Sequence, residues 1–180
     1  PFSVQEIAES LKGVDIPVMV KNPINPDTQL WIGALERIRG AGITKLAAIH
    51  RGCSTYQKIR YRNLPMWNMA IELKRLIPEM PIINDPSHIA GNRDLILEVS
   101  QRAMDLGLDG LMIETHHNPA EAWSDAAQQV TPDVLSNILG TLKIRTYGSD
   151  DVQFNETLED LREQIDGVDK DLLEVLGSRT

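Results

Sequence analysis

The sequence predicts an α/β fold with a parallel sheet. Between Ile16 and Leu142, a short apolar run, a polar loop and a helical pattern follow one another four times. The apolar runs are continuous rather than alternating, which is typical of parallel strands covered on both faces. Repeated strand–helix units of this kind are joined by right-handed crossovers, so we expect all the strands to point in one direction.

Each unit contains one predicted strand and one predicted helix, and the local sequence indicates where each begins and ends. The predicted strands are 16–20, 45–49, 81–84 and 110–113. The predicted helices are 27–40, 66–76, 93–106 and 132–142. Asp27 is suited to cap the first helix, and Thr131 with Pro132 marks the start of the last one. A glycine or a proline follows each of the first three helices, where it stops the helical pattern.

The sequence changes character after Arg145. Residues 146–155 are polar, contain a glycine and lack periodicity, which indicates a linker. In 156–180, apolar residues recur at three- and four-residue steps with acidic residues between them, which predicts one amphipathic helix. No capping motif precedes Thr180, so we expect this helix to be cut rather than finished.

Four side chains of chemical interest fall at or just beyond the ends of successive strands. They are Lys21, Arg51, His88 and Glu114. Both a small doubly wound sheet and half of an eight-stranded barrel place their sites at the carboxyl ends of strands. Four successive strand ends converge on one centre in a closed barrel but diverge in an open sheet. The pattern therefore favours the half-barrel, with the doubly wound sheet as the alternative.

His88, Glu114 and Asp125 are the candidate metal ligands. One imidazole and two carboxylates suit a divalent Mn, Fe, Co or Zn ion and leave positions open for a substrate oxygen. Lys21 and Arg51 are candidate binding residues for an anionic substrate, because ammonium and guanidinium groups bind phosphate and carboxylate. We expect the other charged loop residues to be structural. These are Arg60, Arg62, His116 and His117.

Composition excludes several classes of function. The net charge of −8 and the pI near 5.0 argue against nonspecific binding to nucleic acid or to an anionic membrane. The single cysteine, Cys53, excludes an intramolecular disulfide framework and suits a reducing, cytoplasmic compartment. The chain begins with Pro1 rather than methionine and shows no signal sequence, so we expect it to be the middle of a longer protein.

Several segments together resemble a known enzyme family. They are VKNPINPD, AAIHRGCSTY, NDPSHIAGNR, GLDGLMIETHHNP and WSDAAQQVTP, in this order along the chain. They resemble the second half of the metal-dependent DAHP synthases (3-deoxy-D-arabino-heptulosonate-7-phosphate synthases), in the branch related to 3-deoxy-octulosonate-8-phosphate synthase. The resemblance covers 1–145 and implies that this chain supplies strands five to eight of a (β/α)8 barrel, the TIM-barrel fold.

The resemblance also implies roles for the candidate residues. Lys21 and Arg51 would hold phosphoenolpyruvate, with Asp85 assigned to substrate binding beside them. His88, Glu114 and Asp125 would bind the metal, and Lys21, Arg51 and His88 are also assigned catalytic roles. The implied reaction condenses phosphoenolpyruvate with erythrose 4-phosphate at the start of the shikimate pathway. The family's cysteine ligand and its erythrose-4-phosphate loop are missing here, so we expect this chain to be inactive alone.

The tail, 156–180, is similar to the first helix of the all-helical chorismate mutases. Arg162 matches the arginine by which those enzymes bind a carboxylate of chorismate, so chorismate or prephenate is an expected ligand of this part. We expect the whole protein to be bifunctional and to form a homo-oligomer. Three alternatives remain open. They are an octulosonate-phosphate synthase that uses arabinose 5-phosphate, a non-catalytic half-barrel that must associate, and a self-sufficient doubly wound binding domain.

Overall fold

Four parallel strands form one sheet in the order β1-β2-β3-β4. They are β1 (Val18–Lys21), β2 (Leu46–His50), β3 (Ile82–Asn84) and β4 (Gly110–Leu111). The computed structural model describes residues 2–145 and 152–177. These residues belong to two compact units that divide between Ile144 and Arg145. All four predicted strands are confirmed, although β4 ends two residues earlier than expected.

The helices of the first unit include two that the sequence patterns did not predict. The helices are α1 (Phe2–Ser10), α2 (Thr28–Gly40), α3 (Trp67–Leu76), α4 (Pro86–Ala90), α5 (Ile96–Asp105) and α6 (Pro132–Thr141). The unpredicted ones are α1 and the short α4. The beginning of the helix predicted from residue 93 is a 3-10 turn, Arg93–Leu95, which leads into α5.

The predicted caps of α2 and α6 are confirmed. The Asp27 carboxylate accepts a hydrogen bond from the backbone N–H of Leu30 at 3.1 Å. The Thr131 hydroxyl accepts one from the N–H of Val134 at 3.3 Å. Each cap satisfies a backbone donor that the first helical turn leaves free, so the start of both helices is encoded locally.

One face of the sheet packs against helices. Leu46, Ala48 and Ile82 lie in the core together with Trp31 and Leu35 of α2. Helix α2 contacts the strands β1 and β2 and the neighbouring helices α1 and α3. On the edge strand β1, Met19 points to the opposite face and is 52% exposed. The prediction that both faces are covered is therefore wrong for this strand.

The strand register aligns the ends of the four strands. Lys21 pairs with Ile49, Ile49 with Ile83, and Ile83 with Gly110, so these four residues lie at one level of the sheet. The ladder continues past the strands, because the N–H of Asp85 donates to the carbonyl of His50 at 2.8 Å. Residues that follow the strands therefore emerge side by side at one edge.

The second unit contains one described element, helix α7 (Val152–Gly177). It begins at Val152, so 152–155 belong to the helix rather than to the predicted linker, whose remaining residues, 146–151, lie outside the described ones. Along its apolar stripe, Leu161, Ile165 and Val168 are at least half exposed. Within 2–145 and 152–177, no helix is both long enough and apolar enough to cross a bilayer.

Candidate metal centre

Helix α4 positions His88 through the buried carboxylate of Asp85. Asp85 caps this helix and accepts a hydrogen bond from the backbone N–H of His88 at 3.1 Å. The same carboxylate lies 2.9 Å from Nδ1 of the His88 ring. A carboxylate only accepts hydrogen bonds, so Nδ1 carries a proton and Nε2 of the neutral ring is left with its lone pair.

Lys21 and His88 share the Asp85 carboxylate. Lys21 Nζ lies 2.9 Å from Asp85 Oδ2, and the lysine side chain is 41% exposed while the aspartate is fully buried. Lys21 thus spans the boundary between the interior and the surface at the end of β1. The substrate-binding role predicted for Asp85 does not fit this burial, because its oxygens face Lys21 and His88 rather than an open cleft.

His88, Glu114 and Asp125 lie close enough together to bind one metal ion. One ligand atom from each residue lies within 4.8 Å of the other two. His88 Nε2, the ring nitrogen that Asp85 leaves free, is 3.8 Å from Glu114 Oε1. One nitrogen and two carboxylate oxygens fit a divalent ion of the Mn, Fe, Co or Zn type. The three residues come from α4, from the segment after β4 and from a loop, so only the fold brings them together.

Asp125 has an unusual backbone conformation, and its side chain pairs with an arginine. Its φ angle is +51°, in the left-handed region that residues other than glycine rarely adopt. Arg62 Nη1 donates to Asp125 Oδ1 at 2.5 Å, and this hydrogen bond is the main reason why the pKa of Asp125 is lowered. The positive charges of Arg62 and Arg51 lower the pKa further, so the carboxylate is ready to act as an anionic ligand.

The backbone of Arg51 is positioned by a buried asparagine. Asn22, which follows β1, accepts a hydrogen bond from the Arg51 N–H at 2.7 Å through its side-chain oxygen. Its amide nitrogen donates to the carbonyl of Gly52 at 2.9 Å. Gly52 has a φ of +73°, and a Cβ atom there would lie 2.8 Å from the carbonyl oxygen of Leu64. Arg51 therefore leaves the end of β2 in a direction that these contacts define.

Two residues at this centre were not predicted to be functional. Arg62 was expected to be structural, but it pairs with Asp125. Gln128, which is almost fully buried, donates to Glu114 Oε2 at 2.7 Å. A signal for Gln128 was present in the sequence, because it stands three residues after the candidate ligand Asp125. No pattern indicated Arg62, which belongs to a long irregular loop.

Other candidates do not belong to the group of three ligands. Cys53 is buried and its sulfur lies 3.3 Å from that of Met69. The rings of His116 and His117 stack at 4.5 Å, and neither belongs to the metal-binding group found among the described residues. Arg162 lies on α7, in the second unit, and pairs with Glu159 at 2.5 Å.

The fold and the site together define an α/β protein with a candidate divalent-metal centre at the carboxyl ends of parallel strands. A sequence profile of the DAHP synthetase I family matches residues 3–147. The match covers most of the chain, and the chain therefore belongs to the DAHP synthetase I family. This confirms the family resemblance of the first 145 residues.

Individual relatives agree with this assignment. A phospho-2-dehydro-3-deoxyheptonate aldolase of Thermotoga maritima is 29% identical over 127 residues, which are 71% of this chain and 37% of that protein. A 2-dehydro-3-deoxyphosphooctonate aldolase 2 of Pseudomonas putida is 28% identical over 139 residues, covering 71% of this chain and 48% of that protein. This chain is therefore similar both to a deoxyheptonate aldolase and to a deoxyphosphooctonate aldolase.

A solved structure is similar to most of this chain. A truncated 3-deoxy-D-arabino-heptulosonate 7-phosphate synthase from Thermotoga maritima superposes with a TM-score of 0.69 at 26% identity. The superposition covers 76% of this chain and 51% of that one. The chain therefore spans about half, or less, of the length of the relatives that it matches.

Proposed function

We propose that this chain is the carboxyl-terminal half of a metal-dependent DAHP synthase, which condenses phosphoenolpyruvate with erythrose 4-phosphate. The observation that carries the proposal is the group formed by His88, Glu114 and Asp125, whose ligand atoms lie within 4.8 Å of one another. Lys21 ends β1 and Arg51 directly follows the neighbouring strand β2, at the same edge of the sheet. A metal centre beside two cations suits a reaction between two phosphorylated substrates.

The sheet supports the assignment of its strands as five to eight of a (β/α)8 barrel. The strands are parallel and lie in sequence order, with no reversal of the kind found in a doubly wound sheet. Each inner strand pairs with its two sequence neighbours, as barrel strands do. The half-exposed Met19 on the face away from the helices is suited to contact a further strand or the barrel interior.

The roles of the ligands follow from their hydrogen bonds. Asp85 holds the His88 ring with Nε2 free, which is the arrangement by which proteins orient a metal-binding histidine. Glu114 and Asp125 supply anionic oxygens. A bound divalent ion would polarise the aldehyde of the sugar phosphate, which is the chemistry that the protein side chains lack. We assign Asp85 to orienting His88 and Lys21 rather than to direct binding of substrate.

Lys21 and Arg51 would bind phosphoenolpyruvate. The Lys21 ammonium is anchored by Asp85 but remains partly exposed, so it can meet a phosphate or carboxylate on its open side. Arg51 acts electrostatically on Asp125, so its positive charge lies near the candidate metal site. The two cations would neutralise the substrate anion and hold it beside the ligands, which reduces the entropy lost on reaching the transition state.

Metal binding by this chain provides the first test. We expect one Mn²⁺ ion to bind to the wild-type chain and Glu114→Gln to weaken binding at least about tenfold, since an amide oxygen replaces an anionic ligand. Titration calorimetry measures the affinity. Glu121→Gln, an exposed glutamate in the same loop region, is the matched control and should bind as the wild type does. Equal affinities for the two variants would contradict the site.

The choice of the sugar phosphate is tested in the whole protein. We expect condensation of phosphoenolpyruvate with erythrose 4-phosphate, measured as phosphate release. Activity with arabinose 5-phosphate alone would support the octulosonate-phosphate synthase instead, since relatives of both kinds are similar to this chain.

For the second unit we propose the opening helix of a chorismate mutase domain. Helix α7 carries a line of exposed apolar side chains, as expected of a helix that packs in a larger helical domain. Arg162, whose side chain is exposed, would bind a carboxylate of chorismate or prephenate. In the full-length protein, Arg162→Ala should abolish the conversion of chorismate to prephenate. Lys170→Ala is the control and should leave this conversion unchanged. Retained conversion in the Arg162 variant would contradict this role.

A further inference from the structure

Gln128 connects the two acidic ligands of the candidate metal centre. Its side chain is buried, with 1% of the residue exposed. Its Oε1 accepts a hydrogen bond from Arg62 Nη1 at 2.8 Å, and its Nε2 donates to Glu114 Oε2 at 2.7 Å. The same Arg62 nitrogen donates to Asp125 Oδ1 at 2.5 Å. A continuous chain of hydrogen bonds therefore runs from Asp125 through Arg62 and Gln128 to Glu114.

We propose that Gln128 and Arg62 are positioning residues that orient the carboxylates of Glu114 and Asp125 for metal binding. This inference rests on the proposed metal site and adds residues to it that do not themselves bind the metal. Neither residue is one of the three candidate ligands.

The partners of Gln128 permit one orientation of its amide. Arg62 only donates hydrogen bonds and the Glu114 carboxylate only accepts them, so the amide oxygen must face Arg62 and the nitrogen must face Glu114. The amide then engages Oε2 of Glu114, while Oε1 lies 3.8 Å from Nε2 of His88. Gln128 thus selects which Glu114 oxygen points to the shared centre of the three ligands.

The loop that carries Arg62 is attached to the helix that carries His88. The Arg62 N–H donates to the carbonyl of Ala90 at 3.1 Å. The side-chain amide of Asn63 donates to the carbonyl of His88 at 2.7 Å. The helix also reaches Glu114, because Ser87 Oγ accepts a hydrogen bond from the Glu114 N–H at 3.0 Å. All three ligands are therefore coupled to one hydrogen-bonded network around α4.

The substitution Gln128→Met isolates the effect of position from that of charge. Methionine is similar in length to glutamine and is also uncharged. The substitution therefore leaves the net charge at the metal site unchanged, while both hydrogen bonds of Gln128 are lost. Loss of a residue that orients a metal ligand typically lowers metal affinity about 10- to 100-fold. We expect a loss in this range for Mn²⁺, used alone as the probe, on the full chain.

Arg62→Lys provides a second variant in case the buried substitution prevents folding. Lysine keeps the positive charge but lacks the planar guanidinium group, so it cannot reproduce the geometry that Arg62 has with Asp125 and Gln128. We expect a loss of Mn²⁺ affinity in the same direction. Arg62 is partly exposed and lies in a loop, so this substitution is compatible with folding.

Matched controls come from residues with the same chemistry outside the centre. Gln101 is a partly buried glutamine that bonds with the backbone of Lys143, so Gln101→Met removes comparable hydrogen bonds without affecting the ligands. Arg60 belongs to the same loop as Arg62 but pairs with Glu98, so Arg60→Lys controls for the arginine variant. Both controls should bind Mn²⁺ as the wild type does.

Calorimetric affinity and the electron paramagnetic resonance spectrum of bound Mn²⁺ give the outcome. The inference predicts weaker binding and an altered spectrum for Gln128→Met and Arg62→Lys, with unchanged values in the controls. A spectrum and an affinity equal to the wild type in both variants would overturn the inference while leaving the metal site intact. Absence of Mn²⁺ binding by the wild-type chain would overturn the proposed metal site itself, and with it the inference.

Discussion

His50 is a buried imidazole at the end of β2, between two tryptophans. Its ring centroid lies 6.5 Å from that of Trp31 and 5.2 Å from that of Trp67. Burial lowers the pKa of His50 to about 4, although the Pro65 backbone and the charge of Asp85 act in the opposite direction. The amide nitrogen of Asn84 lies 3.1 Å from Nδ1 of His50. With the ring neutral, Nδ1 can accept a hydrogen bond from this amide.

The depressed pKa of His50 predicts acid sensitivity. The unfolded chain takes up this proton near pH 6.5 and the folded chain only near pH 4, so stability falls as the pH is lowered through this interval. The maximal contribution is about 3 kcal/mol, from about 1.4 kcal/mol per pH unit. Urea unfolding at several pH values should show a shallower dependence for His50→Gln. The exposed His117→Gln should retain the wild-type dependence, and an equal slope in both would contradict the assignment.

At the scale of elements, the short helix α4 shows how one glycine allows two segments to approach. Gly91 caps this helix with a φ of +65°, and a Cβ atom at that position would overlap the Cβ of Arg62. The close approach lets the loop residues Arg62 and Asn63 bond with the carbonyls of α4. The position of Arg62 in the metal centre therefore depends on a residue that does not touch any ligand.

Gly91→Ala should destabilise the protein by at least about 2 kcal/mol, because a left-handed conformation and a steric overlap both oppose the added methyl group. Gly140→Ala is the matched substitution in α6, where an added Cβ meets nothing within 4 Å. It should be stabilising by about 0.5 kcal/mol through helix propensity. Urea denaturation gives both values. A similar, small effect at the two positions would show that the contact between α4 and the loop is loose.

At the scale of the whole molecule, the sheet has two edges in the described part of the chain. Strands β1 and β4 each pair with one neighbour only. Unpaired strand edges and partly exposed apolar side chains, such as Met19, favour association with another chain. A half-barrel would meet its complementary strands at these edges.

We expect the isolated chain to self-associate through the β1 edge. Light scattering coupled to size exclusion should show species larger than a monomer, and Met19→Lys should reduce them because a charge opposes burial at that edge. Tyr56→Lys is the control, since Tyr56 is exposed in a loop away from the strands. A monomeric wild-type chain would count against the half-barrel and favour a self-sufficient domain.

Much of the fold could be predicted because its signals are local. Continuous apolar runs predicted the positions of the four strands. Capping residues such as Asp27 predicted where helices begin. Helix α4 escaped prediction although Asp85 and Pro86 form the same cap-and-proline pattern as Thr131 and Pro132. Its five residues are too few to show the periodicity by which longer helices are recognised.

The residue types at the strand ends already pointed to a divalent metal and an anionic substrate, because imidazole, carboxylate and guanidinium chemistry belongs to each side chain wherever it lies. Tertiary structure alone decided that Asp85 is buried between Lys21 and His88, and that Arg62 reaches Asp125 across 63 positions of sequence. Hydrogen bonds act over about 3 Å. Partners so distant along the chain meet only after packing has placed their backbones, and no local pattern carries that information.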